Sequence, residues 1–182
     1  MNRSRTLISA DTVLPRFGLT DFRPGQRDII DAVLAGRATI AVLPTGAGKS
    51  LCYQLPAVAL GGLAIVVSPL IALMKDQVDA LNARGIAATF INSSIDPGER
   101  HRRAQAALRG DIGILYVAPE RFRVPAFAAA LERARPTLMA IDEAHCVVEW
   151  GRDFRPDYAR LGEVLQQLRP PHVVALTATA TP

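Results

Sequence analysis

Six short apolar runs, rich in β-branched residues, are separated along the chain by longer segments with helical periodicity. The runs are apolar throughout and do not alternate with polar residues, which is typical of strands buried on both faces of a sheet. We therefore predict six buried β-strands, within residues 38–44, 63–69, 88–93, 112–119, 137–143 and 172–179.

The segments between the runs have the spacing of helices and alternate with the predicted strands. Pro24 suits the first turn of a helix over 24–36, and Gly36 can end that helix. Strand–helix alternation predicts parallel strands joined by right-handed crossovers, an open α/β sheet that binds ligands at the carboxyl ends of its strands. The predicted helices are 9–17, 24–36, 48–60, 71–84, 97–109, 120–134 and 157–168.

The composition describes a soluble globular domain. The chain has 182 residues, of which 49% are hydrophobic and 21% charged, which is enough for one buried core and excludes a disordered chain. The net charge, 21 − 17 = +4, raises the expectation of a polyanionic partner only slightly. Cys52 and Cys146 have the spacing of neither a zinc site nor a disulfide framework, so we expect a reducing cytoplasm.

A long uncharged stretch, the 25 residues of 50–74, has the length of a membrane span. It is interrupted by Pro56, by Gly61-Gly62 and by Ser68-Pro69. A helix, a turn and a buried strand explain it better, and we expect no membrane partner. The amino terminus also lacks the apolar segment of a secretory signal.

The first predicted strand ends in LPTGAGKS, residues 43–50, where a helix is expected to begin. Gly46 and Gly48 allow backbone N–H groups to turn toward phosphate oxygens, and a helix amino terminus adds positive charge. Lys49 is expected at the β- and γ-phosphates, and Ser50 at Mg²⁺. The usual pattern has Gly where this chain has Leu43. The predicted nucleotide-binding loop comprises Thr45, Gly46, Ala47, Gly48, Lys49 and Ser50.

The fifth strand ends in Asp142-Glu143, and two carboxylates at a buried strand end need a positive partner. We expect Asp142 to hold Mg²⁺ bound to a nucleoside triphosphate and Glu143 to polarise the attacking water. With Lys49 they form the predicted catalytic set. The alternative is an ordinary pair of surface acids, which the upstream phosphate loop makes less favoured.

Seven ordered segments then resemble the first motor domain of RecQ-family DNA helicases of superfamily two. They are FGLTDFRPGQRDII, LPTGAGKSLCYQLPA, VVSPLIALMKDQVDAL, LYVAPERF, IDEAHC, CVVEWGRDFRPDY and ALTATAT. The resemblance implies a RecA-like, mostly parallel sheet of about six strands with helices on both faces. It also implies a helical segment with the adenine-recognition motif over 1–36 and the ATP-binding lobe over 37–182.

The resemblance also assigns roles outside the loop and the acids. It implies that Arg23 and Gln26 bind the adenine of ATP, beside Leu19, where some relatives have an aromatic residue. His145, Thr177 and Thr179 would link the nucleotide state to the rest of the motor.

CVVEWGRDFRPDY looks like the aromatic-rich loop that couples single-stranded DNA to ATP hydrolysis in this family. Trp150 and Phe154 offer faces for base stacking, and Arg152 and Arg155 offer phosphate contacts. The family usually has a Ser-Gln pair where this chain has Val148-Glu149. Alternatively, Trp150 caps the core under a loop.

A second segment, SPLIALMKDQV, is expected to contact the DNA backbone through Ser68 and Lys75. The basic helix over 97–109 is interpreted as a solvated face.

The sequence ends just after the last motif of a first lobe, so the resemblance implies a second RecA-like lobe that supplies an arginine finger. We expect the ATP-binding and hydrolysing lobe of a 3′–5′ DNA helicase of the cytoplasm or nucleoid, acting in DNA repair and recombination. By itself it is expected to bind Mg·ATP and hydrolyse it poorly. The alternatives are an RNA helicase lobe of the same superfamily and a non-catalytic nucleic-acid-binding module.

Overall fold

The computed structural model describes residues 9–147 and 156–178, and within them six strands form one sheet. All neighbouring strands are parallel, and their order across the sheet is β1-β6-β5-β2-β4-β3. All six predicted strands are confirmed, although each is shorter than its apolar run. The strands are β1 (Thr39–Val42), β2 (Ala64–Val67), β3 (Ala88–Ile91), β4 (Ile114–Val117), β5 (Leu138–Ile141) and β6 (His172–Thr177).

Helices lie between the strands and on both faces of the sheet, as expected for a RecA-like lobe. The α-helices are α1 (Ala10–Val13), α2 (Gln26–Leu34), α3 (Leu51–Leu60), α4 (Ile71–Ala83), α5 (Pro97–Arg109), α6 (Pro125–Ala134), α7 (Pro156–Ala159) and α8 (Leu161–Leu168). Three 3-10 helices cover Leu14–Phe17, Pro119–Arg123 and Ala144–Val147.

The sheet separates two hydrophobic cores because successive strand residues point to opposite faces. In β2, Ala64 and Val66 pack with α1 to α4, whereas Ile65 and Val67 pack with α5, α6 and α8. The predicted division of the chain at residue 36 stays a prediction. The described part of the amino-terminal segment shares its core with β1 and α3.

Local signals explain where the clearest helix begins and ends. The Asp96 carboxylate accepts hydrogen bonds from the backbone N–H groups of Gly98 and Glu99, and Pro97 occupies the first turn of α5. Gly110 ends the helix in a left-handed conformation, with φ +85°. The predicted range 97–109 is therefore confirmed.

Other predicted boundaries were wrong in detail. Pro24 lies before α2, which begins at Gln26 and is preceded by Gly25. Gly36 follows the end of this helix with φ +75°. The predicted helix over 120–134 is divided at Val124, since Pro125 begins a new helix. The predicted helix over 157–168 is divided at Arg160.

The uncharged stretch 50–74 forms α3, a turn at Gly61-Gly62, β2 and the start of α4, as predicted. Within the described ranges, no helix has both the length and the apolarity needed to cross a bilayer.

The prediction that every strand is buried on both faces was wrong for β1. Ile40 is 81% exposed and Val42 50% exposed, because β1 is an edge strand and helices cover only one of its faces in the described residues.

Candidate nucleotide-binding site

The carboxyl ends of β1, β2 and β5 converge on a cavity of about 310 Å³. The loop after β1 and the turn after β5 meet there although β6 lies between the two strands. More than half of the predicted site residues that lie in the described ranges therefore share one cavity. Those that line it are Thr45, Gly46, Gly48, Lys49, Ser50, Ser68, Asp142 and Glu143.

The loop after β1 has the backbone that a phosphate site requires. Gly46 and Gly48 have φ values of +82° and +77°, which glycine adopts without steric cost. The Ala47 N–H donates to the Pro44 carbonyl oxygen at 3.1 Å. The neighbouring N–H groups of residues 45, 46 and 48–50 donate to no acceptor within the described residues. These donors at the start of α3 fit a polyphosphate.

Lys49 and Glu143 face each other inside the cavity. The Lys49 Nζ lies 3.8 Å from Glu143 Oε1, and the two side chains are only 13% and 20% exposed. The loop lysine and the strand-end acid, far apart in sequence, are thus close enough to act on one ligand.

Both acids reach the cavity because the chain turns sharply after β5. The Asp142 N–H still donates to the Val67 carbonyl oxygen at 2.8 Å, which continues the sheet. Glu143 has φ +51°, a left-handed conformation that costs a non-glycine residue about 1–2 kcal/mol. Its N–H donates to Asp142 Oδ1 at 3.1 Å, which holds the turn. A strained residue of this kind is typical of a functional site.

The environment of Asp142 shifts its equilibrium toward the neutral form. Burial, and then the nearby Glu143 charge, raise the pKa of this carboxyl to about 6, against the opposing effects of the Glu143 backbone hydrogen bond, Lys49 and His145. A divalent cation bound here would reverse this preference and keep the carboxylate charged. Among the described residues no group of three or more metal-binding side chains occurs, so a cation at Ser50 and Asp142 would need ligands from phosphate and water.

His145 connects the turn to β6. Its Nδ1 lies 3.0 Å from Thr177 Oγ1 and 3.3 Å from Glu143 Oε2. The predicted coupling residues His145 and Thr177 are therefore in contact beside the predicted catalytic acid. Thr179 lies outside the described residues.

Arg23, just before α2, and Gln26, its first residue, contact the phosphate loop. Gln26, 2% exposed, donates through Nε2 to the carbonyl oxygens of Ala47 at 3.1 Å and Gly48 at 3.0 Å. Arg23 Nη1 donates to the Gly46 carbonyl oxygen at 2.5 Å. Together with Phe17 and Leu19, these residues line a second cavity of about 340 Å³. This cavity also reaches Gly48 and Ser50, so a ligand that fills both would join the phosphate and base ends.

The family model of the DEAD/DEAH box helicases matches residues 23–182. This chain belongs to that family.

The helicase domain is similar in sequence to curated DNA helicases. It is 48% identical over 171 residues to the probable ATP-dependent DNA helicase RecS of Bacillus subtilis, a match that covers 93% of this chain and 34% of that protein. It is 45% identical over 164 residues to the ATP-dependent DNA helicase RecQ of Pasteurella multocida, covering 90% of this chain and 26% of that protein. The chain thus spans about a third or a quarter of the length of these relatives.

Solved helicase structures share its fold. The Mycobacterium smegmatis helicase Lhr bound to ssDNA and AMP-PNP has a TM-score of 0.72 at 22% identity, over 97% of this chain and 25% of that one. The Pyrococcus furiosus Hef helicase domain has a TM-score of 0.71 at 23% identity, over 93% of this chain and 36% of that one. At these identities the likeness shows the RecA-like helicase fold alone.

The DNA-contact residues predicted for the helicase domain are only partly within the described ranges. Ser68 is 4% exposed, and its Oγ accepts a hydrogen bond from the Leu70 N–H at 3.4 Å. Lys75 lies on α4, outside the phosphate cavity, is 67% exposed and pairs with Asp79. Trp150, Arg152, Phe154 and Arg155 lie outside the described residues.

Sequence reasoning missed several side chains of this site. Tyr53, Gln77 and Tyr116 line the phosphate cavity, and Tyr158 donates from its hydroxyl to the Asp142 carbonyl oxygen at 2.9 Å. Tyr53 and Tyr116 lie in two of the family-like segments, but a tyrosine in an apolar segment is usually a core residue. Only the packing of α3, β4 and α4 reveals that these hydroxyls meet near the acids.

Proposed function

We propose that this chain is the ATP-binding and hydrolysing motor lobe of a 3′–5′ DNA helicase similar to RecQ. The observation that carries the proposal is the 3.8 Å approach of Lys49 to Glu143 in a cavity lined by the phosphate loop and Asp142. The two relatives compared above, at 45% identity or more, are named ATP-dependent DNA helicases. This supports DNA over RNA as the polymer.

The catalytic roles follow from charge and position. Lys49 binds the β- and γ-phosphates, and the backbone N–H groups of the loop hold the remaining phosphate oxygens. Ser50 and Asp142 would hold Mg²⁺, which neutralises phosphate charge when bound. Glu143 orients the attacking water and accepts its proton.

At the base end of the site, adenine recognition is proposed to require that Gln26 release the phosphate loop. Gln26 can pair with the adenine edge only if its amide leaves the Ala47 and Gly48 carbonyls, since its Nε2 already donates to both. ATP binding would then exchange these contacts for contacts with the base, with Arg23 and Leu19 beside it.

Single-stranded or partly unwound DNA is the proposed polymer partner. Ser68 and Lys75 are proposed to contact its backbone, and Trp150, Phe154, Arg152 and Arg155 its bases and phosphates. His145, Thr177 and Thr179 are proposed to transmit the nucleotide state. A second RecA-like lobe is proposed to complete the site with an arginine finger, an addition worth about 10³–10⁵-fold in rate in related phosphoryl-transfer enzymes.

The test measures binding of Mg·ATP to this 182-residue chain by calorimetry and its hydrolysis by phosphate release, with and without single-stranded DNA. We expect binding with very slow turnover. Lys49→Ala should abolish detectable binding, because the γ-phosphate charge is then uncompensated. Glu143→Gln should retain binding and remove the residual turnover.

Lys75→Ala is the matched control, since this lysine lies outside the phosphate cavity. It should leave Mg·ATP affinity unchanged and weaken single-stranded DNA binding. Equal Mg·ATP affinity in Lys49→Ala and the parent chain would exclude the proposed nucleotide role. Comparing stimulation by single-stranded DNA and RNA in a longer protein that contains a second lobe tests the choice of polymer.

A further inference from the structure

Four side chains form a hydrogen-bonded chain from the phosphate cavity to α4. Gln54 Nε2 donates to Gln77 Oε1 at 2.8 Å and to the Tyr116 hydroxyl at 2.8 Å. The Tyr116 hydroxyl in turn donates to the Tyr53 hydroxyl at 3.4 Å, a longer contact. This Gln–Tyr relay, as we call Gln77, Gln54, Tyr116 and Tyr53, joins three elements: α4, α3 and β4.

The relay is buried, so its members depend on one another. Tyr53, Tyr116 and Gln54 are only 2%, 1% and 7% exposed, and the two rings pack edge to face with centroids 6.3 Å apart. Leaving a buried polar group without its partner costs about 1–3 kcal/mol. A change at one end therefore cannot leave the other members in place without cost.

Three members of the relay face the nucleotide cavity. Tyr53, Tyr116 and Gln77 line it together with Asp142, and Gln54 connects Gln77 to Tyr116. Burial is the main cause that raises the pKa of both phenols, to about 12 for Tyr116, and the Asp142 carboxylate contributes to the increase. Tyr53 accepts from Tyr116, so its own hydrogen is available to an acceptor in the cavity.

Gln77 lies on α4, a helix whose first turn packs loosely. Leu70, Ile71 and Leu73 are 38%, 37% and 50% exposed at the start of α4, and its buried contacts come from Met74, Val78 and Leu81. Apolar packing therefore fixes the later part of α4 more than its beginning. The Gln54–Gln77 hydrogen bond is a polar tie from α3 to the part of α4 that also carries Lys75.

We propose that Gln54 and Tyr116 are positioning residues that set the place of α4 according to whether the cavity holds Mg·ATP. A cation at Asp142 and a γ-phosphate near Tyr53 change the hydrogen-bond acceptors at one end, and Gln54 passes this change to Gln77 and α4. Nucleotide binding then alters the DNA affinity of the α4 surface. This inference rests on the proposed function, because it assumes that the cavity binds a nucleotide.

The experiment measures the coupling between the two ligands in the 182-residue chain. The dissociation constant for single-stranded DNA is determined with and without saturating Mg·AMP-PNP, and hydrogen exchange of the amides of 71–83 is followed under both conditions. Both measurements are repeated on Gln54→Leu and on Tyr116→Phe, which keep volume and remove hydrogen bonds. Gln167→Ala is the control, since Gln167 donates to Glu132 at 2.9 Å on the other face of the sheet.

We expect Mg·AMP-PNP to change DNA affinity by about fivefold or more in the parent chain and in Gln167→Ala, within the usual range of coupling between sites. In Gln54→Leu and Tyr116→Phe, each measured at its own saturating concentration of Mg·AMP-PNP, the ratio should approach one. A merely structural role would lower the melting temperature and leave the ratio intact.

Each alternative outcome is decisive. Retained coupling in the relay variants, or a ratio of one in a parent chain that binds both ligands, overturns the relay. Absence of Mg·AMP-PNP binding to the parent chain overturns the proposed function itself. If Gln54→Leu does not fold, Tyr116→Phe decides, because it keeps the Gln54–Gln77 bond and removes one hydroxyl.

Discussion

The side-chain amide nitrogen of Gln26 lies 3.0 Å from the carbonyl oxygen of Gly48, so the helix before β1 holds the phosphate loop directly. A Cβ added at Gly48 would lie 2.6 Å from that nitrogen, closer than real Cβ atoms approach. At Gly46, whose φ is also positive, a Cβ would meet nothing within 4 Å. Substitutions at Gly46 and Gly48 therefore distinguish the cost of backbone strain from the cost of displacing the Gln26 side chain.

We predict that Gly46→Ala costs about 1–2 kcal/mol of unfolding free energy, from the left-handed backbone alone. Gly48→Ala should cost about 1–3 kcal/mol more, because it displaces the buried Gln26 amide from its acceptors. Urea unfolding of both variants measures the difference. Equal losses would show that Gln26 moves aside freely.

The second prediction concerns Asp142 in metal-free protein. Its folded pKa, about 6, lies above the ordinary value of 3.8, so the neutral acid stabilises the fold at low pH. That stability is fully present below about pH 4 and is lost as the pH rises through about 6. The loss amounts to up to about 3 kcal/mol.

Asp142→Asn removes this titration and should be the more stable protein above pH 6, by a margin that grows between pH 4 and 7. Melting curves in EDTA over this range test it. The other charged groups around Asp142, namely Glu143, Lys49 and His145, are the same in both proteins, so the difference between the two stability curves reports Asp142 together with its interactions with them. Stability curves of the two proteins that run parallel with pH would contradict the shift.

The third prediction concerns the link between His145 and Thr177. Thr177→Val keeps the shape and removes the hydroxyl that lies 3.0 Å from the imidazole. We expect unchanged Mg·ATP affinity and about tenfold slower residual hydrolysis, equivalent to about 1.4 kcal/mol. Phosphate release at saturating Mg·ATP measures this.

Thr137→Val is the control for Thr177. Thr137 donates to the Gly61 carbonyl oxygen at 2.7 Å, before the start of β5 and away from the phosphate cavity. Both variants should lose about 1 kcal/mol of stability. If both slow hydrolysis equally, the His145–Thr177 contact has no specific role.

The fourth prediction concerns Cys52, in the first turn of α3. Its side chain is fully buried, and burial raises the pKa of its thiol to about 12. At pH 8 it should react with a thiol reagent only through unfolding, at a rate that denaturant increases steeply. The measurement uses Cys146→Ser, in which Cys52 is the remaining cysteine. Rapid labelling of its native state would show that the start of α3 opens locally.

Much of the fold was predictable from residues close together in sequence. Continuous apolar runs predicted all six strands, and helical periodicity predicted the range 97–109 for α5, whose ends the structure shows at Asp96, Pro97 and Gly110. Two of the boundaries that failed follow local features, because Pro125 begins a new helix after Val124 and Gly25, with φ +80°, precedes α2. The exposure of Ile40 was not predicted either, because local periodicity does not determine the order of the strands across the sheet.

The sequence by itself determined the chemistry of this protein. The order Gly46, Gly48, Lys49, Ser50 after one strand and Asp142-Glu143 after another predicted a nucleotide site, because backbone freedom and charge are properties of residue type. Tertiary structure alone decided which groups meet. The Lys49–Glu143 approach, the Gln26 amide on the loop and the relay from Tyr53 to Gln77 all join residues on different elements. Their contacts arise only when the strands assemble in their particular order.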